Sequence, residues 1–217
     1  MMKRSDFEIM APVGSYDSLT AAIQGGADSV YFGIEGLNMR ARSSNNFTID
    51  DLHEIVRICN EHHIKSYLTV NTVIYDEDIP LLHRIIDAAK EAGLSAIIAS
   101  DVAAMTYARE IGVEVHLSTQ LNISNTEALR FYARFADVVV LARELNMEQV
   151  ARIHEAILRD RIVGPGGEPV RIEMFCHVHG CVRQMLFESS RNECFGESRG
   201  LYADLSPFIR SERQGDR

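Results

Sequence analysis

The sequence predicts an α/β protein, an incomplete TIM-type (β/α)8 barrel with about seven parallel strands and helices between them. Short apolar runs alternate with helical patterns through the first 177 residues, and such βα repeats join parallel strands by right-handed crossovers. The first run is not followed by the G-x-G-x-x-G fingerprint of dinucleotide-binding sheets. The number and spacing of the strands therefore favour a barrel over an open, doubly wound sheet.

Each predicted strand is a short run rich in Val, Ile, Leu or Tyr and bounded by turn residues, which is the pattern of strands buried on both faces. The runs are residues 8–12, 29–33, 65–71, 96–100, 114–119, 137–142 and 171–176.

The predicted helices between these runs each have one apolar face. The faces are Ile49, Leu52, Ile55, Val56 and Cys59, then Leu81, Leu82, Ile85, Ile86 and Ala89, then Leu129, Tyr132 and Phe135.

Capping signals mark the ends of the helices. Thr48 with Asp51, and Ser124 with Glu127, have the spacing of capping boxes. Gly93 stands where a helix is expected to end.

The composition is that of an ordinary globular chain, with 46% hydrophobic and 24% charged residues. The formal net charge of -9 argues against broad, salt-driven attachment to nucleic acid but leaves a local basic patch open. The amino terminus leads into no apolar signal-peptide core, and no segment approaches the ~20 apolar residues of a membrane span. We therefore expect a cytoplasmic protein whose four cysteines are reduced thiols.

The pattern stops after His177. Residues 1–177 are expected to form the partial barrel, and residues 178–217 show neither strand nor helix periodicity. The helix after the seventh strand and the whole eighth unit would then be missing. This predicts an unpaired sheet edge and self-association through it.

Six segments resemble the collagenase-like peptidase family (peptidase family U32). They read MAPVGS (10–15), GADSVYFG (26–33), YLTVNT (67–72), HLSTQ (116–120), LARE (141–144) and RIEMFCH (171–177). The last of them is similar to the family signature E-x-F-x-H-G, in which Val178 replaces the glycine. The resemblance covers essentially all of residues 7–177.

The residues after 177 suggest a shifted reading frame. Moving the frame forward by one base through 178–209 permits a string similar to the family's continuation, with its S-G-K-C, N-R-G-A-C and C-R-R elements. The hypothesis is that a small deletion or a sequencing error near the His177 codon made residues 178–217 an artefactual, disordered tail. The alternative is a real, divergent carboxy terminus.

Candidate functional residues follow the carboxy ends of the strands, where barrels of this type place their chemistry. Arg143 is interpreted either as a clamp for an anion or carboxylate or as an ion-pair partner of Glu144 or of a neighbouring loop. Glu173 lies among apolar neighbours, so a buried charge there needs a partner. The full set is Ser15, Asn71, Asp101, Ser118, Gln120, Arg143, Glu144, Glu173 and His177.

Asp101, His177 and one long loop are open to more than one interpretation. Asp101 is favoured as a helix N-cap over a catalytic acid, and His177 is a candidate base or ligand. The long loop 33–47, with Arg40 and Arg42, is expected either to contact phosphate or RNA or to be a solvated loop paired with carboxylates.

The cysteines do not predict a metal site. The cluster from Cys176 to Cys181 is too dense to aim four ligands at one ion, so a zinc site is rejected. Cys59, with His62 and His63, is expected to have a surface role at a helix end.

The family resemblance implies two classes of function. Members have long been labelled peptidases, while some relatives act in hydroxylation of tRNA or rRNA pyrimidines with an iron–sulfur cluster. The stretches NMRAR (38–42) and STQLN (118–122) resemble the RNA-hydroxylation branch. Residues 7–177 lack a Ser/His/Asp, Cys/His or H-E-x-x-H peptidase arrangement, which favours RNA modification for an intact relative. This chain, without the cluster cysteines, is expected to hold no cofactor and to be inactive.

Overall fold

The computed structural model describes residues 7–34, 36–37, 47–178 and 181–187, with the backbone alone described for 176–178 and 181–187. Within these ranges the strands form one closed barrel in the order β1-β2-β3-β4-β5-β6-β7-β8. The strands are β1 Phe7–Pro12, β2 Ser29–Phe32, β3 Lys65–Val70, β4 Ala96–Ala99, β5 Val115–Leu117, β6 Val138–Val140, β7 Arg171–Val178 and β8 Cys181–Phe187. The helices are α1 Tyr16–Gln24, α2 Asp51–Glu61, α3 Ile79–Ala92, α4 Val102–Glu110, α5 Thr126–Tyr132 and α6 Met147–Arg159.

The predicted fold class is confirmed. All seven predicted runs are strands, and each pair from β1·β2 to β6·β7 is parallel. A helix connects each consecutive pair of these strands, so the βα repeat read from the sequence is the repeat of the structure.

The expectation of an open sheet edge is wrong in the described structure. Strand β8 lies antiparallel between β7 and β1, and Phe187 is the register partner of both Phe7 and Ile172. The backbone groups of the two edge strands thus have partners without an eighth βα unit. Residues 188–217 lie outside the described residues, and the reading-frame hypothesis stays a prediction.

The helices pack on the outside of the barrel as their apolar faces predict. Leu52, Ile55 and Cys59 of α2 are fully buried, and Asp51 accepts hydrogen bonds from the backbone and hydroxyl of Thr48. The predicted Ser124 cap is off by one residue, because the side chain of Asn125 accepts the hydrogen bond from Ala128 N at 2.9 Å. Among the residues described, no helix is long and apolar enough to cross a membrane.

Apolar side chains form two separate cores. The larger core fills the space between the strands and the helices. The smaller core lies inside the barrel and consists of Met10, Tyr67, Ala96 and Ile98, with Tyr31 packed against it. Because side chains alternate across a strand, the inward residues of each strand are the ones that can meet in this interior.

Candidate functional site

The barrel interior contains a layer of polar side chains from alternate strands. Glu8 of β1, Tyr67 of β3, His116 of β5 and Glu173 of β7 follow one another in contact. The Tyr67 hydroxyl donates to Glu8 Oε1 at 2.6 Å, the rings of Tyr67 and His116 are 4.7 Å apart, and His116 Nδ1 lies 3.9 Å from Glu173 Oε2. Layers of this kind in (β/α)8 barrels are usually bulky and aliphatic. A layer made of ionisable groups is therefore an exception that needs a physical account.

Glu173 is the most deeply buried ionisable group of the layer, with 0% of its surface exposed. Burial, and then the negative charge of Glu8, raises the pKa of Glu173 to about 8. Both causes act against the carboxylate, so the side chain holds a proton at neutral pH.

His116 is also buried, but one of its ring nitrogens reaches a charged neighbour. Nε2 lies 3.3 Å from Glu114 Oε1, and Arg171 Nη2 donates to the same oxygen at 2.7 Å. Burial lowers the pKa of His116 below its usual value, although the charge of Glu114 opposes this effect. The imidazole is therefore neutral near pH 7.

Glu8 takes the opposite protonation state from Glu173. Burial alone would raise its pKa, but hydrogen bonds from Lys65 and Tyr67 outweigh burial and lower the pKa below its usual value. The Lys65 Nζ atom lies 2.7 Å from Glu8 Oε2. The same layer thus holds one ionised glutamate with a cationic partner and one glutamate that keeps its proton.

The carboxy-terminal mouth of the barrel carries an exposed cation. Arg143 follows β6, and its guanidinium carbon lies 5.7 Å from the ring centroid of Phe175 on β7. The described contact of Arg143 is thus with the ring of Phe175 and not with Glu144. The pair presents a flat guanidinium over an aromatic ring at the place where strand ends are expected to hold a substrate.

Several other predicted site residues have structural roles. Ser15 caps α1 through Ser18, and Asp101 caps α4 by accepting from Ala103 N at 2.8 Å, as favoured from the sequence. The Ser118 hydroxyl accepts from the backbone of Gln120 at 3.5 Å.

The remaining predicted residues are placed as follows. Asn71 is half-buried after β3, and Gln120 and Glu144 are exposed. Arg40 and Arg42 lie outside the described residues, and the backbone of His177 is in β7 while its side chain is not described. The structure therefore brings Arg143 to Phe175 and Glu173 to His116, and their roles stay predictions.

The described residues do not fit a metal or cluster site. No group of three or more His, Cys, Asp or Glu side chains within the described ranges could hold a metal ion. The expectation of a surface role is wrong for Cys59, because its side chain is 0% exposed within the helix–strand core, whereas His62 and His63 are exposed at the end of α2. Burial raises the pKa of the Cys59 thiol to about 11, which makes a thiolate ligand unfavourable there.

Sequence reasoning missed Glu8, Tyr67 and His116. The sequence does contain a signal for them. Each is a polar residue at an inward-facing position of an odd-numbered strand. Comparing the inward positions of alternate strands with one another would have brought them together with Glu173.

Seven parallel strands, one antiparallel closing strand and the outer helices define a TIM-type barrel protein. A solved structure of a U32 peptidase has the same fold, with a TM-score of 0.60, 15% identity, and coverage of 80% of this chain and 70% of that chain. The sequence model of peptidase family U32 matches residues 14–185. The chain therefore belongs to peptidase family U32.

Curated relatives have names from two classes of activity. A protein of Porphyromonas gingivalis named collagenase is 75% identical over 181 residues, which cover 83% of this chain and 44% of that protein. The tRNA hydroxylation protein P1 of Bacillus subtilis is 31% identical over 178 residues, or 81% of this chain and 39% of that protein. A 23S rRNA 5-hydroxycytidine synthase of Escherichia coli is 30% identical over 177 residues, or 81% of this chain and 25% of that protein. The chain spans less than half the length of each of these relatives.

Proposed function

We propose that this barrel belongs to a cytoplasmic RNA-modifying enzyme that acts in hydroxylation of tRNA or rRNA pyrimidines. The two relatives named for tRNA and rRNA hydroxylation support the reaction class. The single structural observation that supports an RNA substrate is the exposed guanidinium of Arg143 over the ring of Phe175.

The Arg143–Phe175 pair has the chemistry that an unpaired RNA segment requires. Bases splayed out of a helix stack on aromatic rings and guanidinium planes, and a guanidinium also binds phosphate in two-point geometry. Each stacked base contributes roughly 1 to 3 kcal/mol to binding. Such a local site is compatible with the net charge of -9, since it does not depend on a broad positive surface.

Peptidase activity is the second candidate, and the collagenase name of the relative with 75% identity favours it. The described candidate nucleophiles argue against it. The hydroxyls of Ser15 and Ser118 cap local turns, and the Cys59 thiol is buried with a raised pKa. A hydrolytic nucleophile needs an adjacent base and access to substrate.

An iron–sulfur cluster is part of the proposal for an intact relative only. Such a cluster needs several thiolates brought together by the fold, and the described residues of this chain do not supply them. We therefore propose that the 217-residue chain binds RNA without modifying it.

The binding test compares two arginines that each cover a phenylalanine ring. Arg143 lies at the mouth, whereas Arg134 lies 4.5 Å over Phe131 near the outer helix α5. Arg143→Ala should weaken binding of unmodified tRNA, measured by fluorescence anisotropy, by about fivefold to a hundredfold. Arg134→Ala removes the same charge and the same kind of contact and should leave the affinity unchanged. Equal effects of the two substitutions would mean that Arg143 contributes only its charge.

The hydroxylation reaction is tested in a longer relative, because this chain spans less than half the length of the relatives named above. Cells that lack the longer relative should lack hydroxylated pyrimidine nucleosides by mass spectrometry, and the relative should restore them unless the residue aligned with Arg143 is replaced by alanine. Cleavage of collagen or gelatin, abolished by replacing the residue aligned with Glu173, would instead establish the peptidase.

A further inference from the structure

Among the described residues, the imidazole of His116 has a hydrogen-bond partner on one side only. Its Nε2 atom faces Glu114 Oε1 at 3.3 Å, so that nitrogen is the one that donates to the Glu114 carboxylate. Its Nδ1 atom is completely buried and has no hydrogen-bond partner among the described residues. With Nε2 protonated in the neutral ring, Nδ1 is an acceptor without a described donor.

The group facing this acceptor is the carboxyl of Glu173. Oε2 of Glu173 lies 3.9 Å from Nδ1, so a movement of about 1 Å brings the two atoms to hydrogen-bond distance. A carboxylate could not donate it, whereas a carboxylic acid has the O–H that Nδ1 needs. Burial and the charge of Glu8 raise the pKa of Glu173 to about 8, which agrees with the acid form.

We propose that Glu173, His116 and Glu114 form a proton-transfer path from the barrel interior to the solvent at the amino-terminal mouth. The Glu173 O–H gives its proton to Nδ1 while the Nε2–H proton passes to the Glu114 carboxylate. The path then holds a Glu173 carboxylate, a neutral His116 of the other tautomer and a Glu114 carboxylic acid, which releases its proton to water. No electrons move, and reprotonation runs the same steps in reverse.

The burial of the three groups gives the path its direction. Glu173 and His116 have side chains that are 0% and 1% exposed, whereas the Glu114 side chain is 40% exposed. Glu114 is also ionised, since the hydrogen bond with His116 outweighs desolvation and lowers its pKa below the usual value. The outer end of the path is thus a solvent-exposed carboxylate that can exchange protons with water.

The charged groups that the structure describes beside the layer are held in ion pairs. Lys65 of β3 pairs with Glu8 of β1 at 2.7 Å, and Arg171 of β7 pairs with Glu114 at 2.7 Å. Tyr67 donates to Glu8, and burial raises its pKa, so it stays protonated. On the described inward positions of β2, β4 and β6, namely Ser29, Tyr31, Ala96, Ile98, Val138 and Val140, no carboxyl, amine, guanidinium or imidazole competes for the proton. This path goes beyond the proposed function, because it concerns the barrel interior and not the RNA-binding mouth.

The experiment follows the Glu173 proton directly. Infrared spectra of this chain at pH 7, compared with those of its variants, should contain the carbonyl band of a protonated carboxylic acid that shifts in D₂O. The isosteric Glu173→Gln should remove that band, and the exposed Glu110→Gln on α4 should retain it. Nitrogen-15 spectra of the wild type should show His116 protonated at Nε2 and unprotonated at Nδ1.

The exchange rate of the band tests the path itself. Glu114→Gln keeps an oxygen for His116 but cannot take a proton, so exchange of the Glu173 proton after transfer to D₂O should slow by about tenfold or more. Arg171→Gln breaks the same ion pair but keeps the Glu114 carboxylate, and it should leave exchange within a factor of about two. Thermal unfolding of each variant establishes that it is folded.

Three results would overturn the proposal. They are a band that survives Glu173→Gln, a proton on Nδ1 of His116, and exchange that Glu114→Gln does not slow or that Arg171→Gln slows equally.

Discussion

Replacing Glu173 with glutamine should stabilise the protein increasingly as the pH rises. The pKa of Glu173 is raised from 4.5 to about 8 by burial and by the charge of Glu8. Below pH 4.5 the carboxyl is protonated in both the folded and the unfolded chain. Between pH 4.5 and 8 the unfolded chain loses this proton and the folded chain keeps it, so the free energy of unfolding falls as the pH rises.

The magnitude follows from the size of the pKa change. Each pH unit in that window lowers the free energy of unfolding by about 1.4 kcal/mol, so Glu173 destabilises the fold by about 3 kcal/mol at pH 7. This is a large share of a typical net stability of ~5 to 15 kcal/mol. A glutamine side chain does not titrate in this range, and it has nearly the same shape as the glutamic acid that it replaces.

Urea unfolding at pH 5, 6, 7 and 8 checks the prediction. The difference in unfolding free energy between Glu173→Gln and the wild type should grow by about 2 to 3 kcal/mol from pH 5 to 7. His116 gives a pH dependence of the opposite sign, but both proteins contain it, so it largely cancels in the difference. Glu110→Gln is the matched control and should follow the wild type. A difference that stays constant with pH would refute a protonated Glu173.

Three further predictions concern other parts of the molecule. Gly164→Ala should destabilise the fold by about 2 kcal/mol or more in urea unfolding, because a Cβ there would lie 2.3 Å from Asp137 Oδ1 and 2.8 Å from Asp137 Cα. Gly93→Ala is the control, since its Cβ would meet nothing within 4 Å. It should cost only the roughly 1 kcal/mol of a left-handed backbone. Cys59 should resist iodoacetamide in the folded chain and react on unfolding, as mapped by mass spectrometry, because it is buried and its thiol pKa is raised to about 11. Resequencing the coding DNA across codons 175–183 should reveal missing bases whose restoration encodes H-G and then S-G-K-C, and an unshifted gene would remove the reading-frame hypothesis.

The seven parallel strands could be predicted because each is buried on both faces. A strand covered by helices outside and by side chains inside is a short apolar run between turns, and runs such as Ala96–Ala99 and Val138–Val140 contain little else. Strand β8 could not be predicted in this way. Its sequence places Arg183 and Gln184 in the middle of the run, and its pairing depends on the edges that β1 and β7 present.

The interior layer was harder to predict than the mouth. Residues after a strand, such as Arg143, reach the mouth in any barrel, so their position follows from the fold class alone. The meeting of Glu8, Tyr67 and His116 with Glu173 depends in addition on the register between strands that are far apart in sequence. A shift of one residue in any pairing would move the side chain to the outer face. Glu173 could be singled out only because a carboxyl among apolar neighbours is costly without a partner.

Strand β7 joins the interior pair to the mouth. Glu173 and Phe175 are successive inward residues of β7, so the acid that faces His116 and the ring under Arg143 lie on one short stretch of backbone. Residue 173 pairs with Val140 of β6 on one side and with Leu186 of β8 on the other, and residue 175 pairs with Gln184 of β8. The closing strand therefore pairs with the backbone at both positions, so the same strand pairing positions the buried acid and the aromatic ring at the mouth.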